Sequence, residues 1–275
     1  MKKIALATVA ISALLTGVAS AADLAARPYT KAPPIVAPVF SWTGCYIGVN
    51  GGYGWGDQTT SLRPSADAAS QAFWNPAFAA GAAPSTYNYS TDGGLAGGQV
   101  GCNWQTGRFV LGIEGDIDWA DIGGSQTILT NVGGFAPGTF TSSQNLSWLA
   151  TIRGRAGFTA TDSLLLYVTG GVAFGNVNYG LNFAFPATND FHTIATSNTE
   201  TGWTVGAGAE WAFTPNWTVK AEYLYVDLGD RTLVSVPAGR AGNLATTLTA
   251  NYENKYNIVR VGLNYKFGGP VVARY

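Results

Sequence analysis

From Trp42 onward, apolar and polar residues alternate with a period of two, and the alternation is interrupted by breaks that are in turn short and long. A period of two places successive side chains on opposite faces of an extended chain, which predicts strands rather than helices. Eight strands are expected, at about residues 43–57, 89–104, 108–122, 145–159, 164–180, 199–213, 217–231 and 253–267. Each exceeds the roughly 9–11 residues with which a tilted strand crosses a bilayer. The short breaks fall at 105–107, 160–163 and 214–216, and the long ones at about 58–88, 123–144, 181–198 and 232–252. Tight turns at one end and long loops at the other are the connections of an antiparallel transmembrane β-barrel, with turns in the periplasm and loops outside.

The tryptophans test this layout independently. With the first strand running outward, Trp42, Trp104, Trp211 and Trp217 fall at the inner ends of their strands, and Trp55, Trp119, Trp148 and Trp203 at the outer ends. Trp74 alone lies elsewhere, in the first long loop. Two aromatic belts suit a membrane barrel, because indole favours the headgroup level. Face assignment agrees. Phe109, Leu111, Ile113, Ile117 and Trp119 oppose Arg108, Glu114, Asp116 and Asp118; Leu146, Trp148, Ile152 and Phe158 oppose Thr151, Arg153 and Arg155. Trp203, Val205, Ala207, Ala209, Trp211 and Phe213 oppose Thr204 and Glu210; Val259, Val261, Leu263, Tyr265 and Phe267 oppose Arg260, Asn264 and Lys266. The belts place the apolar face outward, toward lipid.

Composition narrows the alternatives. Charged residues make up 11% of the chain, against roughly 25% in an ordinary soluble domain, yet no later segment carries the apolar run of a membrane helix. A closed barrel resolves this, since only every second side chain must face lipid. A net charge of −1 with no basic cluster gives no electrostatic case for nucleic-acid binding. At the N-terminus, Lys2 and Lys3 precede a short apolar stretch, 4–18, and then Ala19-Ser20-Ala21; this is the pattern of an export signal cleaved after Ala21. The domain reading is therefore a signal peptide at 1–21, a proline-rich periplasmic linker at 22–41, and a barrel at 42–275.

Several stretches carry a resemblance: Ser41-Trp42-Thr43-Gly44 with Tyr46-Ile47-Gly48, the Gly52-Tyr53-Gly54-Trp55-Gly56 run, Gly93-Gly94-Leu95-Ala96-Gly97-Gly98-Gln99-Val100-Gly101, Leu111-Gly112-Ile113-Glu114-Gly115-Asp116, Arg153-Gly154-Arg155-Ala156-Gly157 and Val261-Gly262-Leu263-Asn264-Tyr265-Lys266-Phe267. In these the chain resembles the small eight-stranded outer-membrane barrels of α-proteobacteria, related to opacity-protein-like surface antigens and usually described as porin-like. The resemblance implies a Gram-negative outer-membrane location and an abundant surface protein. Barrels of this kind commonly end on an aromatic residue that the barrel-assembly machinery reads. Phe267 is favoured for that role, because Gly268-Gly269-Pro270 breaks the strand pattern before the terminal Tyr275.

Chemistry is sparse. His192, the only histidine, is expected to be a solvated loop residue, and no nucleophile elbow or metal-ligand spacing accompanies it. No enzyme and no cofactor are expected. Arg108, Glu114, Asp116, Asp118, Arg153, Arg155, Glu210, Lys220, Glu222, Arg260 and Lys266 are expected to face the lumen. Eight strands enclose a space that side chains fill, so these charges are expected to pair into a plug; the alternative is a narrow ion path. Cys45 and Cys102 share a face at the inner ends of neighbouring strands, the conditions for a disulfide, with two free thiols as the alternative. The expected function is a structural, surface-exposed protein that contributes to envelope integrity and contacts outer-membrane lipids, with loops available to an extracellular ligand. A small-solute porin is the first alternative and a membrane-embedded lipid enzyme the second.

Overall fold

The computed structural model describes residues 40–187, 190–239 and 246–267; the export signal, most of the linker and Tyr275 lie outside the described residues. The strands are β1 (Gly44–Pro64), β2 (Thr86–Thr106), β3 (Phe109–Thr130), β4 (Gly138–Thr161), β5 (Leu164–Phe185), β6 (Asp190–Ala212), β7 (Trp217–Val234), the short β8 (Val236–Gly239) and β9 (Leu248–Lys266), with one helix, α1 (Ala68–Ala79). Each long strand pairs antiparallel with its sequence neighbour, and β9 pairs with both β7 and β1. Val49 faces Leu263 across the closing seam. The eight long strands thus form a ring, and β8 lies along the outer end of β6, Val236 facing Thr193.

The outward face carries the apolar alternation: Ile113, Ile117, Ile152, Val205, Val261 and Leu263 are exposed to the surroundings of the barrel. The inner turns are tight. Gly107 takes the left-handed conformation, φ +60°, that the turn between β2 and β3 requires. The outer ends differ from expectation. Most of the segments expected as long loops are strand, leaving, among the described residues, 65–85 with its helix, 131–137, 186–187, 235 and 246–247. Strands of 18 to 24 residues at about 3.4 Å per residue and ~40° tilt rise roughly 45–60 Å. That is about twice the ~25 Å apolar band of a membrane barrel. The wall therefore continues well above the bilayer. Sequence periodicity missed the extension because, beyond lipid, the outer face carries Ser, Thr and Asn, and its alternation with the interior fades.

Register shifts on both sides of β4 reassign a face there. The β3–β4 register shifts between Trp119 and Ile122, and the β4–β5 register between Leu146 and Trp148. Ser147 is the extra residue, so Leu146 turns inward and is fully buried while Trp148 stays on the outer face, half-buried. Leu146 was expected on the apolar outer face; the bulge reverses it.

Candidate functional site

The lumen is the candidate site, and side chains occupy it in three layers. The middle layer is ionic. β3 projects Glu114, Asp116 and Asp118 inward, β4 Arg153 and Arg155, β6 Glu210, β7 Lys220 and Glu222, and β9 Arg260, all buried. Arg153 Nη2 donates to Glu114 Oε1 at 2.6 Å and Asp116 Oδ2 at 2.8 Å, and its Nη1 lies 3.0 Å from Glu222 Oε1. Arg260 donates to Glu222 Oε2 at 2.9 Å, Asp116 Oδ1 at 3.0 Å and Asp118 Oδ2 at 2.8 Å. Lys220 Nζ sits 2.8 and 2.9 Å from the two oxygens of Glu114. Arg155 joins Glu210 Oε2 at 2.6 Å and lies over the Tyr167 ring, 4.0 Å from its centroid. These contacts link five strands into one network, the arrangement that makes buried charge tolerable.

Two tyrosines that the sequence reading did not single out belong to this network. Tyr46 donates to Glu114 Oε2 at 2.6 Å and accepts from Arg155 Nη1 at 2.6 Å; Tyr167 donates to Glu222 Oε1 at 3.0 Å. Their positions were available from parity, since Tyr46 alternates with Cys45 and Ile47, and Tyr167 with Leu166 and Val168. Inward glycines make the room. A Cβ on Gly101 would collide with the Tyr46 hydroxyl, and one on Gly52 would meet Arg260 Cβ at 2.7 Å.

The inner layer closes the periplasmic mouth. Trp42 is buried against Val110, Leu165, Tyr167 and Ala212, its backbone N–H donating to Gln105 Oε1 at 2.8 Å. Phe40 packs edge-on against it at 4.9 Å, and Lys266 bonds the Ser41 carbonyl while lying 4.2 Å from the Phe40 ring centroid. Three expectations change here. Trp42 belongs to the interior, not to the inner belt, because the chain turns into the mouth before β1 begins. Lys266 faces inward but pairs with no carboxylate among the described residues, standing a full layer below the network. Arg108 is outside altogether: it occupies the inner turn before β3, exposed, with its guanidinium 5.9 Å from the centroid of the outward-facing Phe158 ring.

The outer layer fills the part of the barrel above the bilayer. Tyr87, Tyr89, Tyr179, Tyr252 and Tyr256 are buried with Phe140, Phe183, Leu181 and Leu248. Burial pushes the phenol pKa values of Tyr87 and Tyr252 upward, which keeps them neutral hydrogen-bonding groups. Gln144 and Asn254 join there at 2.6 Å, and Tyr179 donates to Asn254 at 2.9 Å. Helix α1 sits across the top, capped by Asp67, whose carboxylate accepts from the Ser70 N–H at 2.7 Å. It places Trp74, fully buried, edge-on to His192 at 5.2 Å and near Phe183 and Phe185. His192, expected in solvent, is 4% exposed because its loop is strand β6.

On the outer wall, Trp104, Trp211 and Trp217 mark the inner level and Trp55, Trp119 and Trp203 the outer level, all exposed, with Trp148 half-buried beside Trp119. A disulfide joins Cys45 to Cys102, directly opposed on β1 and β2 with Cα atoms 4.0 Å apart. Phe267 follows β9, exposed, its ring 5.3 Å from Tyr265 and its N–H donating to the Cys45 carbonyl. No group of three or more metal-ligating side chains is assembled among the described residues.

The family and sequence comparisons agree with this architecture. The family description "Outer membrane protein beta-barrel domain" matches residues 11–267. The 31 kDa outer-membrane immunogenic protein of Brucella melitensis biotype 1 is 38% identical over 97% of this chain and its own full length. The 22 kDa outer membrane protein of Rhizobium leguminosarum bv. viciae is 31% identical over 70% of this chain and 67% of its own. Among solved structures, the outer membrane protein OprG of Pseudomonas aeruginosa superposes with a TM-score of 0.46 at 12% identity, covering 85% of this chain and all of that one. The chain belongs to the outer membrane protein beta-barrel domain family, and its place is the outer membrane of a Gram-negative bacterium.

Proposed function

We propose that this surface-exposed barrel is a structural, non-enzymatic component of the envelope whose lumen is a plug, not a conduit. The observation that carries this reading is the filling of the interior at three successive levels, with the ionic network between two largely apolar layers. In the porin alternative, the same charges would have to line water; here Arg153, Arg260 and Glu114 have their side chains fully withdrawn from it. The same proposal takes residues 1–21 as the cleaved export signal, 22–41 as a linker reaching into the periplasm, and Phe267 as the aromatic read by the barrel-assembly machinery. Contact with an extracellular ligand falls to the outer wall and α1. The relatives named as immunogenic proteins support exposure of that surface.

Single-channel recording of the refolded mature protein in a planar bilayer tests the plug. The expected trace is silent or shows only rare small flickers. Replacing Arg153 and Arg155 together by alanine raises conductance if they belong to the plug. Steady, salt-proportional openings of the unmodified protein would make it a porin.

A further inference from the structure

The outer wall carries a groove of about 490 Å³ at the inner leaflet, between β3, β4, β5 and β6. Its low points are Ala156 and Ala207, on either side of Val168, and Phe109, Phe158 and Leu166 rise around them. The large residues face outward and are exposed, 68% for Phe109 and 59% for Val168. Small side chains at these low points, flanked by large ones on neighbouring strands, leave an apolar furrow on the lipid-facing wall. At the periplasmic end of this furrow stands Arg108. Its guanidinium lies against Phe158, one of the groove's own walls. Arg108 has no carboxylate within ion-pairing distance among the described residues, and its exposed position at the turn puts it at headgroup height.

We propose that this groove is a binding site for one anionic glycerophospholipid of the inner leaflet. An acyl chain lies in the furrow, and Arg108 receives the headgroup phosphate and any further anionic charge. Three facts select this occupant. The furrow is apolar along its length, it opens to the bilayer, and a cation without a carboxylate partner among the described residues stands where its polar end emerges. A juxtamembrane arginine favours an anionic over a zwitterionic headgroup by a factor of roughly five, and it interacts with phosphate through a planar fork that lysine lacks. The site also explains why an arginine holds this turn position when the lumen network is complete without it.

Native mass spectrometry of the refolded protein, in micelles doped equally with phosphatidylglycerol and phosphatidylcholine, tests the site. The expected result is one retained lipid per barrel, with phosphatidylglycerol favoured about fivefold. Arg108→Gln reduces that preference toward unity while one lipid is still retained. Ala207→Phe, which fills the furrow from its lipid-facing side, lowers retention of both lipids. The heat-dependent gel mobility of the folded barrel verifies that each variant is folded. Equal retention of the two lipids by the unmodified protein, or an undiminished preference in Arg108→Gln, overturns the headgroup assignment. Unchanged retention by a folded Ala207→Phe overturns the groove.

Discussion

Between the inner and outer tryptophans the barrel interior holds guanidinium, ammonium and carboxylate groups; above the outer ones it holds phenols, an indole and aliphatic side chains. The same eight strands enclose both regions, so the difference follows from what lies outside the wall. Within the bilayer, an apolar side chain gains little by turning inward, because lipid is as apolar as a protein core. A polar network that can be satisfied only in one arrangement then defines the interior. Above the bilayer, water surrounds the wall, and burying Tyr87, Phe140 and Trp74 is driven as in a soluble protein, at about 25 cal/mol per Å² of apolar surface. One barrel thus combines two folding solvents, and each half of its lumen is specified by the interaction that its own solvent makes decisive.

The largest effect is expected from breaking the lower half. Arg260→Met leaves Asp118 without its cation and takes one of two guanidinium partners from Asp116 and Glu222. Stranding buried charge in this way destabilises by about 3–5 kcal/mol. Urea unfolding in lipid vesicles, followed by the loss of compact gel mobility, measures it. Retention of wild-type stability would show that water reaches these carboxylates.

Trp74→Ala probes the upper half. Removing a fully buried indole from the core formed with Phe183 and Phe185 costs roughly 3 kcal/mol, but the loss is local to the outer mouth. Proteinase K applied to intact cells cleaves within 65–85 more readily, while the gel mobility of the barrel is unchanged. If the mobility collapses as well, the two halves unfold as one unit and the distinction between them is structural only.

The smallest effect comes from Asp67, the exposed cap of α1. Its hydrogen bonds with Ser70, side chain and backbone, hold its carboxyl below the usual aspartate value. A lowered folded-state value means that the cap supports the helix above the ordinary carboxyl range and is lost as pH falls through the lowered value. The Ser70 amide resonance is therefore expected to move below about pH 4, and Asp67→Asn, which keeps an acceptor but does not titrate, should remove the movement.

The membrane-spanning part was legible because lipid enforces alternation at every position. Ile113, Glu114, Ile117 and Asp118 announce their faces by parity alone, and the network follows from placing their partners at the same height. The misreadings each have a local cause. Trp42 was placed by its position along the chain, although burial depends on where the segment before β1 turns. Arg108 lies in a hairpin turn, where the parity of the following strand no longer applies. Leu146 precedes a bulge that no composition marks. The upper wall was read as loop because runs such as Thr141, Ser142 and Ser143 fill both faces with small polar residues, so the signal that separates in from out is missing. α1 and the burial of His192 depend on contacts between distant segments, which periodicity does not report.

The extended wall determines what an antibody or a phage can recognise on this protein. Across its outer face a single row of residues runs Asp92, Gly123, Asn145, Asn178 and Ser197, drawn from five strands and spaced by pairing rather than by chain order. A binder that reads this row recognises a discontinuous epitope. Such an epitope disappears on denaturation, and no linear peptide from the sequence reproduces it. Serological assays on boiled protein would then report linear segments alone, and would miss the epitopes that the folded barrel displays.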